Sequence, residues 1–209
     1  MGRLGIIIQA RLSSERFPRK IAAEVLSSSL LTTCVRRART IESDLVLVCA
    51  PEDEQGDSFW NNYNECEVFF GNHHNLLIRY YEAAKLFNVS VIVRITADNP
   101  YFSTRVVEAL IEFQTRFSLD YVSAKRDDGA WLPYGLGAEI FTFDALERVK
   151  NSENKLHQEH VSEAFLFNKK IRSSILFKPL NFCSARTKNI SLTIDYPEQL
   201  SMLKEIGFA

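Results

Sequence analysis

The chain has 209 residues, 46% of them hydrophobic with 15 Phe, and its 25 basic and 26 acidic side chains leave a net charge of −1. That near-neutral balance gives no global field toward nucleic acid or an anionic membrane, and no run approaches the roughly 20 apolar residues of a membrane span. The length fits one domain over residues 1–209, and any cationic site must be local.

Residues 6–8 form a purely apolar run that follows Gly5 and stops at Gln9. Such a run reads as a strand buried on both faces, hence a central parallel strand. The loop leaving it, Gln9-Ala-Arg-Leu-Ser-Ser-Glu-Arg-Phe-Pro-Arg-Lys20, carries Arg11, Arg16, Arg19 and Lys20. In open α/β sheets ligands bind outside the carboxyl ends of the strands. The four cations therefore mark either a solvated basic loop or a polyanion site, a triphosphate being the obvious candidate.

Residues 27–29, three serines, can cap a helix in which Leu30, Leu31, Cys34, Val35 and Ala38 recur at helical spacing. Leu45-Val-Leu-Val-Cys49 is a second buried strand closed by Pro51. The acidic stretch at 52–57 reads as a surface loop, and Phe59-Trp60 start a short helix. Glu67-Val-Phe-Phe70 is a strand ended by Gly71, and His73-His74 reads as surface. Asn75 caps a helix with Leu76, Leu77, Tyr80, Tyr81, Ala84 and Phe87 inward. Val91-Ile-Val-Arg-Ile-Thr96 is the next strand, and Ser103 caps a helix with Val106, Val107, Leu110 and Ile111 inward. Strands and helices thus alternate four times, the pattern of a doubly wound parallel sheet.

The second half is less regular. Strands are expected at 120–123, within 133–143, at 174–177 and at 190–194. Asp144 is expected to cap a short helix, one helix should run from about 157 to 168, and Pro197 opens the last, with Gly207 as its C′ glycine. The four cysteines, Cys34, Cys49, Cys66 and Cys183, show no C-x-x-C spacing. Reduced thiols in a cytoplasmic protein fit them better than disulfides or zinc. The first residues lack the features of a signal peptide, which again fits a cytoplasmic location.

Two aspartates sit just past apolar strands and shortly before prolines: Asp98 in Ile-Thr-Ala-Asp-Asn-Pro and Asp195 in Thr-Ile-Asp-Tyr-Pro. Each could simply cap the helix that follows. If both strands neighbour the first, both carboxylates instead reach the edge where the basic loop sits. Hard oxygen ligands beside a polyphosphate suit Mg²⁺, and cations plus carboxylates point to phosphoryl or nucleotidyl transfer. G-x-G-x-x-G, a Walker P-loop and G-x-S-x-G are all absent, as is an Asp-x-Asp pair.

The opening motif resembles that of the cytidylyltransferases that activate acidic sugars as CMP-sugars, including the keto-deoxy-octulosonate and sialate synthetases. It is most similar to the spore-coat-polysaccharide branch, whose pattern is Q-A-R-M-G-S-T-R-L-P-G-K. Residues 75–84 resemble D-V-L-D-R-Y-Y-x-A-A, and residues 93–100 resemble V-R-I-T-G-D-C-P. Residues 134–141 are similar to D-G-L-D-V-E-V-F, 159–161 to E-H-V, and 192–198 to L-T-V-D-T-P-E. The similarity spans essentially the whole chain.

The resemblance implies a three-layer α/β/α nucleotide-diphosphosugar-transferase fold with a mixed, mostly parallel sheet. It implies Mg²⁺-dependent transfer of CMP from CTP to an acidic sugar, with small-molecule partners only and a homodimer allowed. Carried over by position, Gln9, Ala10, Arg11, Ser14, Lys20 and Arg79 hold the nucleotide. Arg11, Arg16, Lys20 and Asp98 carry the catalysis, and Asp98 and Asp195 hold the metal. Tyr134, Glu139, Glu159 and His160 lie toward the acceptor. A lone helical histidine such as His160 is otherwise packed or solvated. Ser13, Arg19 and Asn75 depart from the pattern's Gly, Gly and Asp, and Gly137 replaces another Asp. Other acceptors (a phosphonate or a polyol phosphate), another NTP, or a nucleotide-binding protein without turnover are the alternatives.

Overall fold

The computed structural model describes residues 2–25, 27–177 and 191–205. Strand β1 (Leu4–Gln9) runs into the basic loop. That loop ends on a 3₁₀ turn at Lys20–Ala22 and an antiparallel pair, β2 (Glu24–Val25) with β3 (Ser28–Ser29). Helix α1 (Leu30–Ala38), β4 (Leu45–Pro51), α2 (Ser58–Asn61), β5 (Val68–Gly71) and α3 (Leu76–Leu86) follow. Next come β6 (Val91–Thr96), α4 (Thr104–Phe117), β7 (Tyr121–Ser123), β8 (Glu139–Thr142) and α5 (Phe143–Val149). The chain continues with α6 (Lys155–Glu159), α7 (Val161–Leu166), β9 (Ser173–Ile175) and α8 (Pro197–Glu205).

The sheet order is β5-β4-β1-β6-β8-β7-β9, with only β8 antiparallel to its neighbours. β1 lies between β4 and β6, parallel to both, and its residues alternate between two cores. Ile6 and Ile8 pack with Leu31 and Val35 of α1 and with Val107 and Leu110 of α4. Ile7 faces the other way, with Leu77 and Tyr80 of α3, Leu146 of α5 and Phe165 of α7. Burial on both faces is why this strand carries an unbroken apolar run. No helix among the described residues is long and apolar enough to cross a membrane.

Ser29, Asn75 and Ser103 cap α1, α3 and α4 through the backbone N–H groups of Thr32, Ile78 and Val106. The expected Asp144 cap is corrected. Thr142, extended at the end of β8, accepts from Ala145 N, and Asp144 sits inside the first turn. The single helix expected near 157–168 is two, broken at His160 (φ −116°, ψ 87°). That break turns Val161, Ala164 and Phe165 into the core, while no residue of α6 is buried. The stretch at 52–57 is not simply a surface loop, because it folds as a 3₁₀ turn at Glu52–Glu54 that buries Glu54. The expected strand at 190–194 forms no strand among its described residues, which hold only an isolated bridge from Ser191 to Tyr134. Ile190, Cys183 and Gly207 lie outside the described residues.

Candidate active site

A cleft of about 640 Å³ opens at the carboxyl ends of β1 and β6. The basic loop forms one wall. Leu12 anchors this loop in the core, and its carbonyl accepts from Ser14 N and Arg19 N, both at 2.9 Å. Beneath it the Glu54 carboxylate accepts from Leu12 N (2.9 Å), Ser13 N (3.0 Å), Ser13 Oγ (2.9 Å) and the Trp60 indole (3.3 Å). Two backbone donors of the basic loop are thus already used by a buried internal anion. Any anion that binds this loop must therefore be met by side chains and by the remaining amides.

Glu54 was invisible as a site residue, because an acidic run between a strand and a helix looks like any solvated loop. Only the neighbouring indole hinted at burial. Removing the carboxylate orphans two buried donors, Leu12 N and the Trp60 indole, which typically costs about 1–3 kcal/mol for each group that finds no substitute. Glu54→Ala is expected to lose roughly 2–4 kcal/mol in chemical denaturation. An unchanged midpoint would show that the carboxylate does not hold the loop.

Three of the loop's four cations are paired. Lys20, 8% exposed, donates from Nζ to Asp98 Oδ2 at 2.8 Å, to Asp195 Oδ1 at 3.3 Å and to the Ile194 carbonyl at 3.2 Å. Arg16 bonds the same Asp195 oxygen at 2.9 Å. Arg19 makes a two-pronged pair with Asp57 at 2.7 and 2.9 Å. Arg11 forms no ion pair among the described residues and lines the cleft. Burial pushes the Asp98 carboxyl up, but the Lys20 ammonium and its hydrogen bond pull it down further, leaving it below the ordinary carboxylate value. Ser103 caps α4, and the backbone N–H groups of Asp195 and Tyr196 donate to Gln199 Oε1.

Asp98 follows β6, as expected. Asp195 arrives by another route, since no strand among the described residues carries it. Ile194 N donates to the Asp98 carbonyl at 2.8 Å. Ile194 and Leu200 pack with Val25, Leu30 and Tyr101, against which Phe17 of the basic loop also packs. This small third core ties the carboxylate to the loop it serves.

Gln9, Ala10, Arg11, Ser14, Arg16, Lys20, Asp98 and Asp195 all line the cleft. Arg79 does not. It is 2% exposed and donates from Nε to the Asn72 carbonyl (2.8 Å) and from Nη2 to the His73 carbonyl (2.7 Å). It therefore shapes the loop after β5 from below, and burial holds its guanidinium below the ordinary arginine value. His73, read from the sequence as surface, lines the cleft and pairs with Asp53.

None of the four acceptor candidates lines the cleft. Glu139 is fully buried and already bound by Arg94, Lys125 (3.6 Å) and the Tyr121 hydroxyl (2.7 Å). Burial opposes its charge, but Arg94 and then Lys125 more than offset this and bring the carboxyl down to about 2. Tyr134 is 41% exposed and its carbonyl accepts from Leu192 N, so it supports the segment carrying Asp195. Glu159 and His160 sit exposed at the break between α6 and α7.

The departures from the family pattern have local causes. Arg19 has φ 58°, a left-handed conformation that favours glycine, and its pairing with Asp57 holds it there. Ser13 donates its hydroxyl to Glu54, and Asn75 caps α3 as an aspartate would. A Cβ at Gly137 would collide with the Ala124 carbonyl.

Asp98 and Asp195 share the Lys20 ammonium, at 2.8 and 3.3 Å, which brings both carboxylates to the same wall of the cleft. Among the described residues no group of three His, Cys, Asp or Glu could hold a metal. Two carboxylates alone fit Mg²⁺, which completes its shell with waters and substrate phosphates.

Comparison with known proteins bears on the family and the fold. The sequence matches the family described as Cytidylyltransferase over residues 5–207. It is 27% identical over 217 residues to the spore coat polysaccharide biosynthesis protein SpsF of Bacillus subtilis, covering 99% of this chain and 87% of that one. Its fold is similar to that of a cytidylyltransferase from Leptospira borgpetersenii (TM-score 0.82, 24% identity, 100% of this chain and 88% of that one). It is also similar to CMP:2-keto-3-deoxy-manno-octonic acid synthetase complexed with CTP (TM-score 0.67, 15% identity, 98% of each chain).

Proposed function

The chain belongs to the cytidylyltransferase family and is an enzyme of that class, and on that premise we propose that it transfers CMP from CTP to an acidic sugar, with Mg²⁺ and release of pyrophosphate. The observation that carries this reading is Lys20 held between Asp98 and Asp195, beside Arg16 and the unpaired Arg11. The family description supports the cytidylyl group. The keto-deoxy sugar acid of the similarly folded synthetase and the polysaccharide setting of SpsF support the acceptor class.

In the proposed step the sugar hydroxyl oxygen bonds to the α-phosphorus as the bond from that phosphorus to the α–β bridging oxygen breaks. Pyrophosphate leaves with the electron pair, and the hydroxyl proton passes to solvent. No protein nucleophile is needed. Gln9, Ala10 and Ser14 hold the nucleotide over the strand ends, so that attack is intramolecular in effect. Arg11, Arg16 and Lys20 stabilise the charge that builds on the departing pyrophosphate. A triphosphate competes with Asp98 and Asp195 for the Lys20 ammonium, and the two carboxylates are then available for Mg²⁺. When bound, that ion supplies positive charge beside the phosphate oxygens. Arg79 acts through the loop it holds rather than by touching substrate.

The test is pyrophosphate release with each of the four NTPs against a panel of keto-deoxy sugar acids, phosphonates and polyol phosphates, with products weighed by mass spectrometry. CTP with a sugar acid should give a CMP-linked product; product only with another acceptor or base would replace the reading. Asp98→Asn, which keeps the shape but not the charge, is expected to cut turnover on the order of a hundredfold and raise the Mg²⁺ concentration needed for half-maximal rate. An unchanged magnesium dependence would remove Asp98 from the metal.

A further inference from the structure

Gln9 ends β1 on the floor of the cleft, and its side chain is not free to choose an orientation. Arg94 of β6 donates to Gln9 Oε1 twice, from Nε at 3.2 Å and from Nη2 at 2.8 Å. Arginine has donors only, so the atom it faces must be the amide oxygen whichever way an isolated glutamine might be drawn. Arg94 in turn is 5% exposed and pinned through Nη1 by the fully buried Glu139, which also accepts from Tyr121. The fork of the guanidinium is thereby fixed on both sides, with one carboxylate and one carbonyl. Among the described residues no protein atom accepts from Gln9 Nε2. With its oxygen consumed, Gln9 offers the cleft two N–H donors and no acceptor.

We propose that Glu139 and Arg94 are positioning residues that lock the Gln9 amide so that it reads a hydrogen-bond-accepting oxygen or ring nitrogen of the substrate. This rests on the cytidylyltransferase reading of the cleft. The chemistry it recognises is an acceptor lone pair, found both on the pyrimidine ring of CTP and on the carboxylate of a sugar acid. A buried ion pair is a costly way to stabilise a sheet, since apolar residues of similar volume often do as well. It is an effective way to fix the polarity of an amide, because a site that presents only donors discriminates strongly against a group that cannot accept. The same arrangement explains why Glu139 sits at a position the family pattern marks while remaining out of reach of any ligand. It acts two bonded groups away.

Gln9→Glu tests this, because the new carboxylate still pairs with Arg94 but faces the cleft with an acceptor and a charge. Gln9→Met, which presents neither donor nor acceptor, controls for the charge. Binding is measured by calorimetry for CTP alone and for the sugar acid alone. Both variants should weaken one of the two ligands at least tenfold, leave the other within twofold, and melt within a few degrees of the wild type. Loss of CTP affinity assigns the amide to the base, and loss of sugar-acid affinity assigns it to the acceptor. Glu139→Gln should weaken the same ligand and no other. Equal affinity of wild type and both variants for both ligands would overturn the proposal. Nuclear magnetic resonance separates this from the functional reading. In the protein alone, the Arg94 Nε–H should exchange slowly and the Gln9 side-chain NH₂ quickly. The reverse pattern would overturn the proposal even if the enzyme takes a different substrate, whereas the expected pattern in a protein that binds no CTP would remove the functional reading and leave the orientation standing.

Discussion

Lys20→Ala is expected to lower turnover by on the order of a hundredfold to a thousandfold, because in the proposed reaction it removes a fixed cation from the side where the leaving group gains charge. The same change also leaves Asp98 and Asp195 facing each other without their shared ammonium. A fully buried broken pair costs about 3–5 kcal/mol, and with both carboxylates about one-quarter exposed we expect roughly 1–3 here. The signature is therefore a large kinetic loss with a modest stability loss, read by steady-state pyrophosphate release and denaturant midpoints on the same preparations. Added Mg²⁺ should restore part of the stability by taking over the charge that Lys20 neutralised. A variant that turns over at the normal rate would detach the basic loop from catalysis.

The largest stability effect belongs elsewhere. Glu139→Ala leaves the Arg94 guanidinium buried with no anion, and about 3–5 kcal/mol of folding stability should be lost. The pH dependence has a definite sign. The folded Glu139 carboxyl is lowered to about 2 from 4.5, so its contribution is fully present above pH 4.5 and is lost as pH falls toward 2. Urea titrations between pH 5 and 2 should show the wild type losing stability across that window and the variant losing less. Parallel curves for the two proteins would mean that the buried pair is not the source. Because Arg94 also holds Gln9, a destabilised but folded Glu139 variant should bind one substrate more weakly than its stability alone explains.

Much of the site was legible from local pattern. The apolar run at residues 6–8 could be buried only in a strand covered on both sides, and its abrupt end at Gln9 located the sheet edge where the cleft opens. The cap residues Ser29, Asn75 and Ser103 worked as read, since capping depends on three neighbouring residues and on nothing distant. Arg79 misled for an equally physical reason. A helical arginine near a site looks like a ligand-binding cation, yet here it is buried away from the cleft, with Nε and Nη2 donating to carbonyls of the loop beneath which it lies. Glu139 misled in the same way, its charge being used by Arg94.

What the sequence determined alone is the alternation of strands and helices and the cluster of cations on the first crossover, because periodicity and composition are set by residues a few positions apart. Tertiary structure decided which charges are spoken for. Glu54 lies under the loop some forty residues before it, and Asp195 reaches Lys20 across 175 positions through the small core of Ile194 and Leu200, without a strand among the described residues to carry it. Charge pairing is a matter of distance in space, and no local spacing encodes it.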